Sequence, residues 1–527
     1  MIAACFVAIG MARIAATWPA LFLTTDEFGH FASGLEYVAN HAYRYDLEHP
    51  PIARAMSAVL PYLSGARPSG EPDRNREAEA VLVKTGNPNR MVTLARAGMI
   101  PFFVLACWVV YAWSRHSFGN AAAAVATGLF TLLPPVLAHA GLATTDMALT
   151  ASLGAAFLAL ILWAESPTWR RTFLLAFAAG LAALSKFTTL LYLPAAAALA
   201  LTVYLTLEWP GANRVAALVK ERLARFGGAV LVGSLLIWAG YGFSFGYVSA
   251  WDLHLPAPQF FSGILTVRAH NSEGHAAYLL GQYSTTGWWY YFPVVLAVKT
   301  PIGFLVLAGL GVWVCWRNRT KFRYWLPAAF SAGILLPAMY GNINIGVRHI
   351  LPVYIGFSIL AGLGVVRLAK WSTGRPWTGA LCVALVLWAA VSGALSHPDY
   401  LAYFNELAPA EREKVLVDSD LDWGQDVGRV AKRLRQLGAT EVSMGSTLHV
   451  SEDFLKWSGL PPVKPINPVE RATGWTVVSP TLDKTTQYGL FHRYPNVRPW
   501  YSSLKPVERV GALILYYVPP GSTHGKN

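Results

Sequence analysis

The sequence predicts a polytopic α-helical membrane protein of about eleven spanning helices, with a small α/β domain outside the membrane at its C-terminal end. Three observations carry that reading. Apolar residues make up 54% of the 527 and charged residues only 13%, against roughly 25% charged in soluble domains. The apolar residues gather in runs of roughly 20, the length that crosses a hydrocarbon core, and mean hydropathy is +0.39. Past residue 397 the runs shorten and alternate between strand-like and helix-like patterns,.

In chain order the spans are expected at about 2–23, 97–114, 119–138, 147–164, 172–185, 188–207, 226–246, 291–316, 324–340, 349–366 and 377–396. No cleavable signal-peptide pattern precedes the first, which is expected to stay as an anchor. Arg13 inside it has no explanation from the sequence. The net charge of +13 does not point to nucleic acid, because the cations sit in short loops between spans. Arg115, then Arg170 and Arg171, then Arg214 to Arg225, then Arg317 to Arg323, then Arg367, Lys370 and Arg375 mark one set of loops as cytoplasmic,. The stretch from Thr24, the loops at 139–146, 247–290 and 341–348, and the C-terminal region then fall outside. The four cysteines all lie in spans and read as small core residues,.

The first outer loop, 24–96, carries two amphipathic patterns. Phe28, Phe31, Leu35 and Val38 share one helical face; Ile52, Met56, Val59, Leu60 and Leu63 share another, after a Pro51 suited to a first helical turn,. Residues 65–90, rich in Pro, Gly, Asn and charge, read as a mobile loop. Trp288, Trp289, Tyr290 and Tyr291 form an interfacial belt where the eighth span begins,. Beyond 397, VLVDSD (415–420) reads as a strand, Val427 to Leu437 as a helix, and EVSMGS, GWTVVSP and ALILYYV as further strands. Asp418, Asp420 and Asp422 alternate as in a calcium loop, but the glycine is misplaced and Arg429 stands where the closing Glu belongs, so they read as a capped turn,.

Ionisable residues concentrate at the outer ends of spans, where a charge is costly to hold and is there for a reason. Asp26 and Glu27 follow the first span, with His30 one helical turn on,. Glu48 and His49 precede Pro50-Pro51. Asp146 closes a second Thr-Thr-Asp. Lys186 lies at the turn between the fifth and sixth spans, and Arg348 with His349 opens the tenth. Lys299 lies roughly 12 Å into the eighth span at about 1.5 Å per residue. Carboxylates beside cations at an outer membrane surface suit sugar transfer from a lipid phosphate. A carboxylate serves as general base for the acceptor hydroxyl, and cations or a metal ion stabilise the departing phosphate.

The segments TTDEFGHFASGLEYV…YDLEHPPIAR, LATTDMALT, SKFTTLLYLP, GWWYYFPVVLAVKTP, NIGVRHILPVY, SHPDYLAYFNEL and LVDSDLDWGQD resemble the phospholipid-carrier-dependent glycosyltransferases of the protein O-mannosyltransferase-like branch of the GT-C superfamily. The resemblance implies a GT-C-like transmembrane catalytic domain over 1–396, eleven to thirteen spans, an extracytoplasmic active site and a polyprenyl-phosphate-linked sugar as donor. It implies that Asp26 is the catalytic base, that Glu27 assists, and that Asp146 is the second acidic position. Glu48 and His49 match a place where some relatives hold a metal or phosphate, so they are the candidate ligands for a divalent cation, Mg or Mn. His30, Lys186, Lys299, Arg348 and His349 are expected to bind substrate. The domain expected over 397–527 does not resemble the β-trefoil of eukaryotic protein mannosyltransferases, which leaves the acceptor open among glycan, lipid and protein. The expected location is the cytoplasmic (inner) membrane. The rival readings are a transporter of lipid-linked sugars, or a non-catalytic membrane scaffold.

Overall fold

The computed structural model describes residues 1–445, 448, 450–486, 493–494 and 498–520; parts of the expected C-terminal domain therefore lie outside the described residues. The chain begins with α1 (Ile2–Ala15). Its Arg13 turns out to be a tether: Nε donates to the Tyr400 hydroxyl at 3.1 Å and Nη2 to the Gly393 carbonyl at 2.6 Å. An arginine in an apolar helix is tolerated because both donors find fixed acceptors on the far end of the chain.

The first loop is mostly helical. α2 (Thr25–Asn40) opens with a capping box, in which Glu27 accepts the Thr24 backbone N–H at 2.9 Å,. α3 (Pro51–Leu63) starts with proline at its first turn and packs against α2 so closely that a Cβ on Gly34 would lie 2.1 Å from the Arg54 carbonyl oxygen. The stretch 65–90, expected to be a mobile loop, instead contains α4 (Arg74–Lys84). Asp73 caps it by accepting the N–H of Asn75 and Arg76, each at 3.0 Å,. Buried Glu77 accepts the N–H groups of Ser69, Gly70 and Glu71 at 2.6, 2.9 and 2.8 Å. One carboxylate thus orders the turn whose composition looked mobile.

Next come α5 (Pro88–Ala97), α6 (Ile100–Phe118), α7 (Asn120–Leu132), α8 (Pro134–Ala140), α9 (Asp146–Glu165), α10 (Trp169–Ala183), α11 (Thr189–Leu207) and α12 (Ala212–Gly240). A hairpin of β1 (Phe245–Val248) and β2 (Leu253–Pro256) leads into α13 (Pro258–Glu273), and a second hairpin, β3 (Ala277–Leu279) and β4 (Gln282–Ser284), leads into α14 (Tyr291–Lys299). Then follow α15 (Ile302–Arg317), α16 (Leu326–Met339), α17 (Val353–Trp371) and α18 (Pro376–Leu395). Among the described residues six helices are long and apolar enough to cross a bilayer, and eight spans result when two bent pairs are each counted as one. α7 and α8 bend by 69°, and α14 and α15 by 116°; both breaks precede a proline, which has no N–H to continue the ladder. Eight of the eleven expected spans therefore have the length. The other three match α1, α10 and α16, of 14, 15 and 14 residues, only about 21–23 Å at 1.5 Å per residue. α17 is the hub of the bundle. It meets α15 with backbone against backbone, where a Cβ on Gly311 would stand 1.9 Å from the Leu360 carbonyl oxygen,.

The C-terminal region is α/β, with one difference from expectation. Residues 415–420 are not a strand: the chain there makes a turn at Asp418–Asp420, with Asp418 at φ 58°. The turn is set by what it touches. Lys299, at the end of α14, donates to the carbonyls of Asp420 at 2.6 Å and Leu401 at 2.8 Å, with the Phe404 ring 4.3 Å away. Beyond it, α19 (Val427–Gln436) buries Val427, Val430, Ala431 and Leu434 at helical spacing,. α20 (Glu452–Trp457) sets Phe454 against Phe22 and Phe28, and the strands β5 (Val442–Gly445), β6 (Val463–Pro465), β7 (Gly474–Val478), β8 (Glu508–Val510) and β9 (Leu513–Val518) form a five-stranded mixed sheet. The strand order is β6-β5-β7-β9-β8, with β5 parallel to β6 and β7 and the other pairs antiparallel. Residues 415–426 do not hang off the bundle. Phe22 N–H donates to the Gln425 carbonyl at 2.8 Å and Thr25 N–H to that of Trp423 at 3.0 Å.

Glu27 is the knot of this architecture. Its two oxygens also receive Arg96 Nε and Nη2, each at 2.8 Å, and the Ala143 N–H at 2.9 Å. Both side chains are almost wholly buried. Replacing Glu27 by Ala strands a buried guanidinium, and the expected loss is about 3–5 kcal/mol. Thermal unfolding of purified Glu27→Ala in lipid nanodiscs measures it; an unchanged midpoint would show that the pair holds nothing together.

Candidate active site

A cavity of about 430 Å³ lies where the start of α2, α13, the 341–349 loop and the 415–425 segment meet. Distant parts of the chain supply its wall: Asp26, His30, Asp46, Glu48, His49, Lys186, His270, His275, Arg348, His349, Asp418 and Trp423 all line it.

Its centre is an ion pair. Arg348 Nη1 binds the Asp26 carboxylate, and the guanidinium lies 4.2 Å over the Trp423 ring,. Burial pushes the Asp26 carboxyl up, but Arg348 and His30 more than reverse it and hold it below the usual carboxylate range,. Arg348 is lifted further above its ordinary value because Asp26, Asp146 and Asp418 outweigh its burial. Its Nε has no hydrogen-bond partner among the described residues. Lys186 also lines the cavity, its Nζ held at 2.6 Å by Asp146 Oδ1. Asp146, also bonded by the Thr144 hydroxyl at 3.1 Å, is buried behind the lysine and does not line the cavity. His349 completes this side. Burial, Lys186 and Arg348 keep its imidazole neutral, far below its ordinary value.

A second group stands opposite. His30, Asp46 and His49 place three possible ligand atoms within 4.8 Å of one another. Burial and the neighbouring His49 push the His30 imidazole down to about 3, so it is neutral and able to ligate; its Nδ1 has no hydrogen-bond partner among the described residues. Two imidazoles and a carboxylate suit zinc, whereas Mg and Mn favour oxygen ligands. Asp46 is already engaged by Arg54 at 3.0 Å and Arg74 at 3.3 Å, so an incoming ion competes with two guanidinium groups. Glu48 points elsewhere. It faces His270 Nδ1 at 3.5 Å, and His270 Nε2 lies 3.3 Å from His275 Nδ1. Asp418, lifted by burial against the pull of Arg348 and His275, closes that side.

An apolar groove of about 520 Å³ continues from the polar cavity. The two share Phe187, Thr188, Val267, Ile343 and His349, and the groove runs on past Leu190, Leu191, Ile264, Phe292 and Ala338. Leu190 and Leu191 stand exposed on the outer face of α11, so the groove reaches the hydrocarbon-facing surface.

The structure thus brings together Asp26, His30, Glu48, His49, Lys186, Arg348 and His349 from the residues expected by sequence. It removes three from direct contact with a ligand. Glu27 is sealed in its pair with Arg96, Asp146 is buried behind Lys186, and Lys299 is turned to the Asp420 and Leu401 carbonyls. Glu48 gives way to Asp46 and His30 as a metal-ligand candidate. Asp46, His270, His275, Asp418 and Trp423 were not anticipated. Asp46 had a local signal, two residues before Glu48 in the same acidic motif, and Asp418 and Trp423 lay in the LVDSDLDWGQD segment, where the alternating acids were read as a capped turn.

Residues 92–238 match the family described as dolichyl-phosphate-mannose-protein mannosyltransferase. That segment holds Asp146 and Lys186 but not Asp26 or Arg348. No curated protein matches the chain. The structure resembles ArnT from Cupriavidus metallidurans, both in the apo state and bound to undecaprenyl phosphate, with a TM-score of 0.51 and 16% identity over 97% of each chain. AglB from Archaeoglobus fulgidus, in complex with an inhibitory peptide and a dolichol-phosphate, gives a TM-score of 0.47 and 13% identity, covering 90% of this chain and 62% of that one. The polytopic helical membrane fold expected from the sequence is thus one that this chain shares with ArnT.

The geometry separates two metal-ligand assignments. Zinc titrated into the purified protein is expected to bind weakly, with His30→Ala lowering affinity about 10–100-fold and Glu48→Ala leaving it unchanged. Equal losses in both variants would return the site to the Glu48 side.

Proposed function

We propose that this chain is an integral membrane glycosyltransferase that moves a sugar from a polyprenyl phosphate to an acceptor hydroxyl. The observation that carries the reading is the junction of two environments. A largely apolar groove, with Arg268 also on its wall, runs into a cavity lined by Lys186 and Arg348, with a carboxylate, Asp26, paired to the arginine. A lipid phosphate is the ligand with that shape: a hydrocarbon tail joined to an anion. The likeness in fold to ArnT bound to undecaprenyl phosphate, and the mannosyltransferase-family segment, support it.

In the proposed step the acceptor oxygen forms a bond to the anomeric carbon while the bond from that carbon to the phosphate oxygen breaks. The acceptor proton passes to Asp26. Negative charge left on the carrier phosphate is taken up by Arg348 and Lys186. Arg348 has two competing anions in this scheme. Paired with it, Asp26 is a weak base. A donor phosphate that draws the guanidinium away raises the basicity of Asp26 when the sugar is in place, so activation accompanies donor binding. His30, Asp46 and His49 would hold a zinc-type ion, and such an ion would add positive charge to the cavity wall. Cation-rich loops lie at the opposite end of the bundle, which supports an extracytoplasmic cavity in the cytoplasmic membrane.

The two bent helix pairs favour a second reading, a transporter of lipid-linked sugars, since broken helices beside a binding site are a transporter trait,. Covalent transfer by purified protein in detergent, with no membrane to cross, separates the two.

Three outcomes are expected. Asp26→Asn keeps its fold and loses transfer from a polyprenyl-phosphate sugar by about 10²–10⁴-fold; full activity would end its role as base. Arg348→Gln raises KM for the donor as well as lowering kcat, measured against donor concentration. The third concerns pH. A carboxyl held below its ordinary value of 3.8 is charged at every pH above it, so protonation of Asp26 removes activity only in strong acid. The acid limb of kcat/KM is therefore expected well below neutrality.

A further inference from the structure

We propose that the end of the bundle opposite the cavity binds the phosphate of an anionic phospholipid between the ends of α15 and α17. α15 leaves the cavity side at Ile302 and α17 at Val353, next to Arg348; they end at Arg317 and Trp371. At about 1.5 Å per residue those ends lie roughly 22–27 Å from the cavity side. There the Trp313 and Trp371 rings are in contact, with centroids 5.2 Å apart and planes tilted by 60°.

Two guanidinium groups share the Trp313 ring: Arg317 lies 5.7 Å and Arg367 5.8 Å from its centroid, and Arg367 is also 4.6 Å from that of Trp371. The two guanidinium groups therefore lie no more than about 12 Å apart, and like charges at that range in a low-dielectric rim repel unless an anion offsets them,. None is supplied by the described residues. Neither arginine makes an ion pair among the described residues, and no Asp or Glu occurs from residue 274 to 398. Arg367 Nε is buried, with no hydrogen-bond partner among the described residues. A third cation, Arg319, lies 5.4 Å over Trp316 on the same rim.

Loop cations of ordinary topology signals point into water and pair with whatever ion is near. These two differ, because tryptophans hold them at the level where a span ends and where headgroups lie. The only abundant anion at that depth is a lipid phosphate, with the tryptophan faces packing against glycerol and upper acyl carbons. The ligand assigned is therefore an acidic headgroup lipid, not a soluble phosphate, and the site is independent of the donor cavity.

The test is native mass spectrometry of the purified full chain incubated with phosphatidylglycerol or phosphatidylcholine. The wild type is expected to retain phosphatidylglycerol in preference. Arg317→Gln, which removes an exposed side chain whose described contact is a ring, is expected to reduce that retention about fivefold. Arg317→Gln with Arg367→Gln should abolish the preference while phosphatidylcholine retention stays unchanged. Arg348→Gln, in the cavity, should keep it. Equal retention of the two lipids by wild type overturns the proposal. So does undiminished phosphatidylglycerol binding by Arg317→Gln, or loss of the preference in Arg348→Gln instead. The single variant decides the matter even if the double variant does not fold.

Discussion

A charge at the edge of a hydrocarbon core must be met by an opposite charge, and most of this architecture follows from that demand. At an effective dielectric near 20 two unit charges 4 Å apart attract by about 4 kcal/mol, and a stranded partner costs as much. Three such pairs knit the outer end of the bundle. Glu27 meets Arg96 across 69 residues of sequence, Asp146 meets Lys186 across 40, and Asp26 meets Arg348 across 322. Each joins elements that apolar contact alone would leave free to slide, because lipid tails compete equally well for an apolar helix face.

The three pairs are not equivalent, and their differences separate scaffold from chemistry. Glu27 and Arg96 are both sealed and fully hydrogen-bonded. Asp146 is sealed but presents its lysine to the cavity. Only in the third pair is the carboxylate itself part-exposed, with its guanidinium carrying an unbonded Nε over an aromatic face. A pair that still has an open side can exchange partners; a closed one cannot without unfolding its surroundings. That graded exposure is why the donor phosphate is assigned to Arg348 and not to Arg96, although both are buried arginines paired with neighbouring acids.

The sequence was most legible where one period or one composition decides. Helix positions followed from apolar runs, and the amphipathic α2 and α3 from spacing alone. Asp26, Lys186 and Arg348 were legible because charges at span ends are rare enough to notice. What failed was direction. Asp26 and Glu27 are neighbours in sequence, yet about 100° apart around a helix, so one faces the cavity and the other the core. No local pattern distinguishes them. Lys299 looked like a phosphate ligand because the break before Pro301 was not foreseen; the 116° bend aims its ammonium at the Asp420 carbonyl instead. The ordered turn at 69–71 was hidden for a related reason, since a single buried Glu77 outweighs a composition rich in loop formers.

The region beyond residue 397 had seemed separable from the catalytic body, and the contacts argue otherwise. Trp423 supplies the aromatic face under Arg348, and Asp418 supplies a cavity carboxylate. Lys299 locks the turn between them from the membrane side, and Phe22 and Thr25 lock it from the first loop. An active site assembled this way cannot be complete in the helical bundle alone. Residues 415–426 are better regarded as the last wall of the cavity, carried in by the C-terminal sheet, and the sheet as the means of holding that wall still. On the proposed reading, acceptor recognition belongs on this side as well. A groove that brings the donor in past α11 and α13 would leave for the acceptor the face bounded by Asp418, His275 and His270.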